Sequence, residues 1–127
     1  MTAAPIRLLI ADDNRSMRES IIRLVGQTPD IRAVDEACDG MSVLEKARAQ
    51  HFDLVLLDIT MPGKNGLDVL RELKQELPEL PVLMLTIHPP EDYKSTAMSL
   101  GAVGYVPKYR AADDLIDEVR RAVGRTS

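Results

Sequence analysis

An α/β fold is predicted for this chain, with five β-then-α units around a parallel sheet covered on both faces. Three observations carry the prediction. The 127 residues suit one domain, since domains most often run to roughly 100–150 residues. Short apolar runs alternate with longer stretches in which apolar residues recur every three or four positions. Glycine and proline fall between these segments, where the chain must stop or turn.

The first strand is Ile6–Ala11 (IRLLIA), nearly continuous in apolar residues, as a strand buried on both faces should be. Met17, Ile21, Leu24 and Val25 then share one helical face, and Gly26 follows as a C-terminal stop. Ile31–Ala37 is less apolar and suits a strand nearer the sheet edge. Met41, Leu44 and Ala47 mark the second helix. Val55–Leu57, within Leu54–Asp58, is the third strand, and Leu67, Leu70 and Leu73 mark the third helix. Pro78 and Pro81 bracket the approach to the fourth strand, Val82–Leu85. Glu91–Leu100 is a weaker helical pattern, closed by Gly101. Gly104–Val106 is the fifth strand; Leu115, Val119 and Ala122 mark the last helix, closed by Gly124. The crossovers should be right-handed. The domain is expected to span residues 1–123, with Gly124–Ser127 (GRTS) as a tail or the start of a linker.

Composition narrows the function. The chain is 45% hydrophobic and 28% charged, ordinary globular values that argue against disorder. Its net charge of −4 makes it a poor candidate for binding DNA by bulk charge. No apolar run approaches the roughly 20 residues of a membrane span. Met1–Pro5 has no basic patch followed by an apolar region, so no secretory signal is expected. Cys38 is the only cysteine, which excludes an intramolecular disulfide and a multi-cysteine zinc site and fits a reducing cytoplasm. With no Trp and one Phe, the core must be aliphatic.

In open α/β sheets, sites form beyond the carboxyl ends of the strands. The first strand runs into Asp12 and Asp13, the third ends at Asp58, the fourth at Thr86 and the fifth near Lys108. Each alone has an ordinary explanation: Asp after a strand is most often a cap or turn residue, and Lys a solvated charge. Together they should converge at one end of the sheet. Clustered carboxylates repel one another and call for a proton or a cation. A hard divalent ion with oxygen ligands, Mg²⁺ first, is the natural answer. With Lys108 it would make a place for a phosphoryl group, which an aspartate can hold as an acyl phosphate. Thr86 can donate a hydrogen bond to a phosphoryl oxygen.

The motifs LLIADD (Leu8–Asp13), LVLLDITMPGKNG (Leu54–Gly66), VLMLT (Val82–Thr86) and GAVGYVPK (Gly101–Lys108), in this order and spacing, resemble the receiver domain of two-component response regulators. The wording MPGKNGLDVLRELK, LTIH and GAVGYVPK is similar to receivers of the NarL/LuxR type. The resemblance covers essentially the whole chain. It implies a flavodoxin-like (βα)5 doubly wound fold with strand order 2-1-3-4-5. It implies that Asp58 accepts a phosphoryl group from a sensor histidine kinase or phosphotransfer protein. Asp13 would bind Mg²⁺, with Asp12 nearby and the backbone carbonyl of Thr60 completing the protein ligands. Thr86 and Lys108 would contact phosphoryl oxygens, and Tyr105 fits the family's aromatic switch position. The chain would then be a switch rather than an enzyme with an outside substrate, catalysing only its own phosphorylation and dephosphorylation. The full protein would continue into a helix-turn-helix DNA-binding domain, so these residues would bind no DNA themselves. Phosphorylation would promote homodimerisation or release an inhibited output domain.

The chain departs from the family in places. Many members carry proline after the site lysine; here Tyr109 follows Lys108 and Pro107 precedes it. A cis Lys108–Tyr109 bond would cost about 3 kcal/mol, so a trans bond is expected. Ile87, after Thr86, is bulky where the family is often small, which would shield the phosphoryl site from water and slow dephosphorylation. Pro89–Pro90 stiffen the entry to the fourth helix. His88 is placed at the pocket rim, His51 in a surface loop and Cys38 as a small buried side chain. Arg120, Arg121 and Arg125 read as a solvated helix end.

Other classes fit less well. A flavin-binding carrier wants a Ser/Thr/Gly-rich cradle after the first strand, where Asp12 and Asp13 would repel a phosphate. An aspartate-nucleophile phosphohydrolase wants a second acid as general acid two residues after the nucleophile, where Thr60 stands, and a cap domain for which there is no length. A degenerate receiver would have lost some of the acids, Thr86 or Lys108, all of which are present.

Overall fold

The computed structural model describes residues 4–125. Met1–Ala3, within the segment read for a leader, and the last two residues of the expected tail lie outside them. The elements follow in order as β1 (Ile6–Ala11), α1 (Arg15–Val25), β2 (Ile31–Ala37), α2 (Gly40–Ala49), β3 (Leu54–Leu57) and α3 (Gly66–Glu76). Then come β4 (Val82–Thr86), α4 (Pro90–Ser99), β5 (Gly104–Pro107), a 3-10 turn at Lys108–Arg110 and α5 (Ala111–Ala122). The five strands form one sheet in the order β2-β1-β3-β4-β5, with every pairing parallel.

The near-continuous apolar strands are explained by the two cores they serve. Successive side chains leave a strand on opposite faces. Leu9, Ala11, Val55, Leu57, Val82, Met84 and Tyr105 therefore enter one core, covered by Val43 and Leu44 of α2, Val69, Leu70 and Leu73 of α3, and Ala97 of α4. Ile6, Leu8, Ile10, Leu54, Leu56, Leu83, Leu85 and Val106 enter the other, beneath Ile21 and Val25 of α1 and Leu115 and Val119 of α5. β2 lies at one edge and is only partly buried along its middle, as its mixed composition predicts. Its register against β1 shifts between Leu8 and Leu9, where the pairing passes over Val34.

Local signals set the helix ends. Asn14 caps α1 by accepting from the Met17 N–H, Asp39 caps α2 through Ser42, and Asn65 caps α3 through Leu67 and Asp68. Pro90 opens α4, where its missing N–H costs nothing. Gly101 and Gly124 adopt the left-handed backbone that suits glycine, with φ of 104° and 78°. Gly26 is also a cap, but a right-handed one with φ of −64°. The described backbone contains no cis peptide bond, so Lys108–Tyr109 is trans.

Three expectations are corrected. Met41 is 52% exposed, because the inward face of α2 is Gly40, Val43, Leu44 and Ala47 and leaves Met41 to the side. Cys38 is exposed in the link between β2 and α2. Arg120 is not simply solvated: its Nε and Nη2 each lie 2.9 Å from an oxygen of Asp30, tying the last turn of α5 to the loop before β2. Among the described residues no helix is long and apolar enough to cross a membrane.

Candidate functional site

Parallel strands deliver their carboxyl ends to one side of the sheet. β1 hands on to Asp12 and Asp13, β3 to Asp58, β4 ends in Thr86 and β5 leads into Lys108. Backbone pairing continues past the strands and holds the first acids in register. The Asp12 N–H donates to the Ala37 carbonyl at 3.0 Å, and the Asp58 N–H donates to the Ala11 carbonyl at 3.0 Å.

Asp12, Asp13 and Asp58 each bring a carboxylate oxygen to within 4.8 Å of the others. Asp12 and Asp58 are buried at 4% and 3% exposure, while Asp13 is open to solvent. Lys108 supplies the local cation. Its Nζ lies 2.6 Å from Asp12 Oδ2 and 3.1 Å from Asp58 Oδ2. Burial works against the ammonium charge, but the hydrogen bond that Lys108 donates to Asp12 and the charges of Asp58 and Asp12 outweigh it and raise the Lys108 pKa. A raised folded pKa means this pairing is complete below the ordinary lysine value and is lost only as pH climbs through the folded one. The remaining carboxylate oxygens face backbone donors: Asn14 N–H reaches Asp12 Oδ1 at 2.9 Å and Ile59 N–H reaches Asp58 Oδ1 at 2.7 Å.

Thr86 is fully buried, and its Oγ1 accepts from the His88 N–H at 3.3 Å. Thr60 is exposed, and its Oγ1 pairs with His88 Nε2 at 2.8 Å. Tyr105 is 8% exposed and donates its hydroxyl to the His88 carbonyl at 2.9 Å. Burial first, then the negative charges of Asp92, Tyr93 and Asp58, push that hydroxyl up to about 12, so it remains a donor at neutral pH. The His88 ring also meets Tyr93 edge-on at 5.0 Å. His88 thus joins the β3–α3 loop, the β4–α4 loop and β5, a connecting role that the sequence reading, which placed it on the rim, did not give it.

All the predicted site residues therefore gather at one end of the sheet. Ile87 is 65% exposed, so most of its side chain faces solvent rather than roofing the acids. Two contributors were missed. Gly66, at the start of α3, lies directly against the Asp58 backbone, since a Cβ built there would come 1.9 Å from the Asp58 carbonyl oxygen. Arg18 on α1 donates to the Asp12 carbonyl at 2.7 Å. The glycine following Asn65 was a readable signal for close approach; nothing local in the sequence marks Arg18. A surface concavity lined by Phe52, Asp53, Leu77 and Pro81 lies at the opposite ends of β3 and β4 and holds none of these residues.

The fold and its pocket define a class: a flavodoxin-like (βα)5 domain with an acidic, lysine-bridged site at the carboxyl ends of its strands. Within that class the chain belongs to the response regulator receiver domain family, which it matches over residues 8–120. It is 36% identical over 115 residues to the transcriptional regulatory protein DegU of Brevibacillus brevis, covering 91% of this chain and 49% of DegU. It is 33% identical over 118 residues to the nitrate/nitrite response regulator protein NarL of Escherichia coli strain K12, covering 93% of this chain and 55% of NarL. A crystal structure of a LuxR-family two-component response regulator from Aurantimonas superposes with a TM-score of 0.90 at 27% identity, covering 95% of this chain and 86% of that one. These relatives bear out the NarL/LuxR-type resemblance. The chain spans about half the length of the curated relatives it matches.

Proposed function

We propose that Asp58 is the phosphoacceptor of this signalling switch and that a phosphohistidine of a sensor histidine kinase or phosphotransfer protein is the donor. One observation supports the assignment above the others: the Lys108 ammonium sits between the buried carboxylates of Asp12 and Asp58. A carboxylate oxygen of Asp58 attacks phosphorus, the O–P bond forms as the P–N bond to the donor imidazole breaks, and the imidazole keeps the electron pair and takes a proton. Lys108 is placed to pair with a phosphoryl oxygen as Asp58 gives up its charge. The Thr86 hydroxyl, at the end of β4, can exchange its contact with His88 for a phosphoryl oxygen. Tyr105 then reports the change through the His88 carbonyl.

The acids fit Mg²⁺ on their donor chemistry. Three carboxylates against one ammonium leave a formal excess of two negative charges, and all the side-chain donors are hard oxygens. Asp12, Asp13 and Asp58 with the Thr60 carbonyl would hold the ion. When bound, it neutralises charge on the phosphoryl oxygens. The switch would work in the cytoplasm, with a helix-turn-helix DNA-binding domain as its output. Homodimerisation on phosphorylation, or release of that output domain, would carry the signal. The receiver would span residues 1–123, and Gly124 would begin a tail or a linker.

Intact mass after incubation with acetyl phosphate tests nucleophile and metal together. One added phosphoryl group with Mg²⁺, and none without it, is expected; labelling that ignores Mg²⁺ would overturn the metal assignment. Lys108→Ala is expected to slow labelling at saturating Mg²⁺ by about 100-fold. Mg²⁺ affinity should hold or improve, because a competing cation has gone from the acids. Wild-type labelling kinetics in that variant would remove Lys108 from the proposed chemistry.

A further inference from the structure

Asp12 and Asp13 leave the backbone on either side of a single peptide unit, whose oxygen is the Asp12 carbonyl. Its orientation sets where both carboxylates point. Among the described residues no backbone N–H donates to that oxygen; instead Arg18 Nη1 donates to it at 2.7 Å. The guanidinium is itself held. Its Nε donates to Glu36 Oε1 at 2.9 Å, and the Arg18 side chain is only 15% exposed. Glu36 belongs to β2, paired beside Ile10, and its own carbonyl accepts from Lys46 Nζ of α2. Lys46 also reaches Asp35 Oδ1 at 3.0 Å. The turn is closed from the other side by Asn14. The Asn14 N–H donates to Asp12 Oδ1, the Asn14 Oδ1 accepts from the Met17 N–H, and the Asn14 carbonyl accepts from the Arg18 N–H.

From this ring we infer that Arg18 is a positioning residue: its fork pins the Asp12–Asp13 peptide plane and so presents the two carboxylates for a cation, with Glu36 of β2 as its anchor. The inference rests on the proposed cation site but concerns residues outside it. Arginine suits the role because its planar fork offers two donors in fixed relation, one for the carbonyl and one for the carboxylate. Lysine restores charge without that geometry. Groups that orient a ligand residue without touching the ion commonly govern its affinity. A purely structural Arg18 would brace α1 against β2 and lower the melting temperature alone.

The test titrates the chain with Mg²⁺ alone by calorimetry and follows amide hydrogen exchange at Asp13 and Asn14 without Mg²⁺. Arg18→Gln is expected to weaken Mg²⁺ binding about tenfold while the labelling rate at saturating Mg²⁺ stays near wild type. Exchange at Asp13 and Asn14 should quicken. Arg18→Lys should recover part of the affinity, and Glu36→Gln should lose a smaller part. Folded Arg18→Gln protein with wild-type affinity and exchange overturns the inference, whatever its melting temperature. Should that variant not fold, Arg18→Lys is read in its place, with a loss of about threefold expected and wild-type affinity overturning the role. A wild-type chain that binds no Mg²⁺ would instead defeat the functional reading, and the exchange measurement would still decide whether Arg18 holds the turn.

Discussion

Asp58→Asn is expected to reduce labelling by acetyl phosphate or a kinase to background while the fold persists. The amide is nearly isosteric with the carboxylate, and its oxygen can still accept from the Ile59 N–H. It lacks the charge and nucleophilicity needed to form an acyl phosphate. The substitution also takes from Lys108 one of its two carboxylate partners and leaves Asp12 in place. The pocket therefore keeps a balanced ion pair, and circular dichroism should show a native spectrum and cooperative melting. Intact mass is the deciding measurement. Continued Mg²⁺-dependent labelling of Asp58→Asn would move the acceptor to another residue, with exposed Asp13 the first to examine.

The second large effect is expected at a residue with no side chain. Gly66→Ala would place a Cβ 1.9 Å from the Asp58 carbonyl oxygen and 2.7 Å from the Ile59 Cα. Both obstacles are backbone, and neither can swing aside. The Gly66 N–H also donates to the Ile59 carbonyl at 2.6 Å, and the Asp58 N–H is held by Ala11. Either α3 must retreat from the end of β3 or Asp58 must leave its register. Overpacking that displaces backbone should cost at least about 3 kcal/mol, which lowers the melting temperature of a domain this size by roughly 10 °C. Labelling should fall with it, because the acceptor moves relative to Lys108. Gly63→Ala is the control: its φ of 76° brings strain, but its Cβ would meet nothing within 4 Å. It should cost about 1 kcal/mol and leave labelling intact. A Gly66→Ala protein that melts and labels like wild type would show that the β3–α3 junction is far softer than its contacts imply.

The sheet and the acidic end of it were legible because their signals are local. Leu54–Leu57 is apolar throughout since it is buried on both faces, and Asp58 follows it at once. The order of the motifs then placed Thr86 and Lys108 beside it. What escaped depends on contacts between distant segments. The Arg18 bond to the Asp12 carbonyl runs from one face of α1 to the end of β1, and Glu36 completes it only because β2 pairs with β1. His88 reads as an isolated histidine, yet its ring, N–H and carbonyl each bond a different segment. Met41 fits a helical repeat with Leu44 and Ala47, but which arc of α2 turns inward is settled by packing on the sheet and α3. The Arg120–Asp30 pair spans most of the chain and has no trace in local pattern.

Tyr105 belongs to the same core as Leu57, Met84 and Ala97, in the layer that lies beneath α2, α3 and α4. The layer beneath α1 and α5 draws on the alternate strand residues and, among the described residues, includes no aromatic. Turning that ring outward would hollow one side of the sheet and leave the other untouched. The domain is therefore lopsided: rotating one aromatic ring would open the packing on one face of the sheet, while the aliphatic packing on the opposite face would be unaffected.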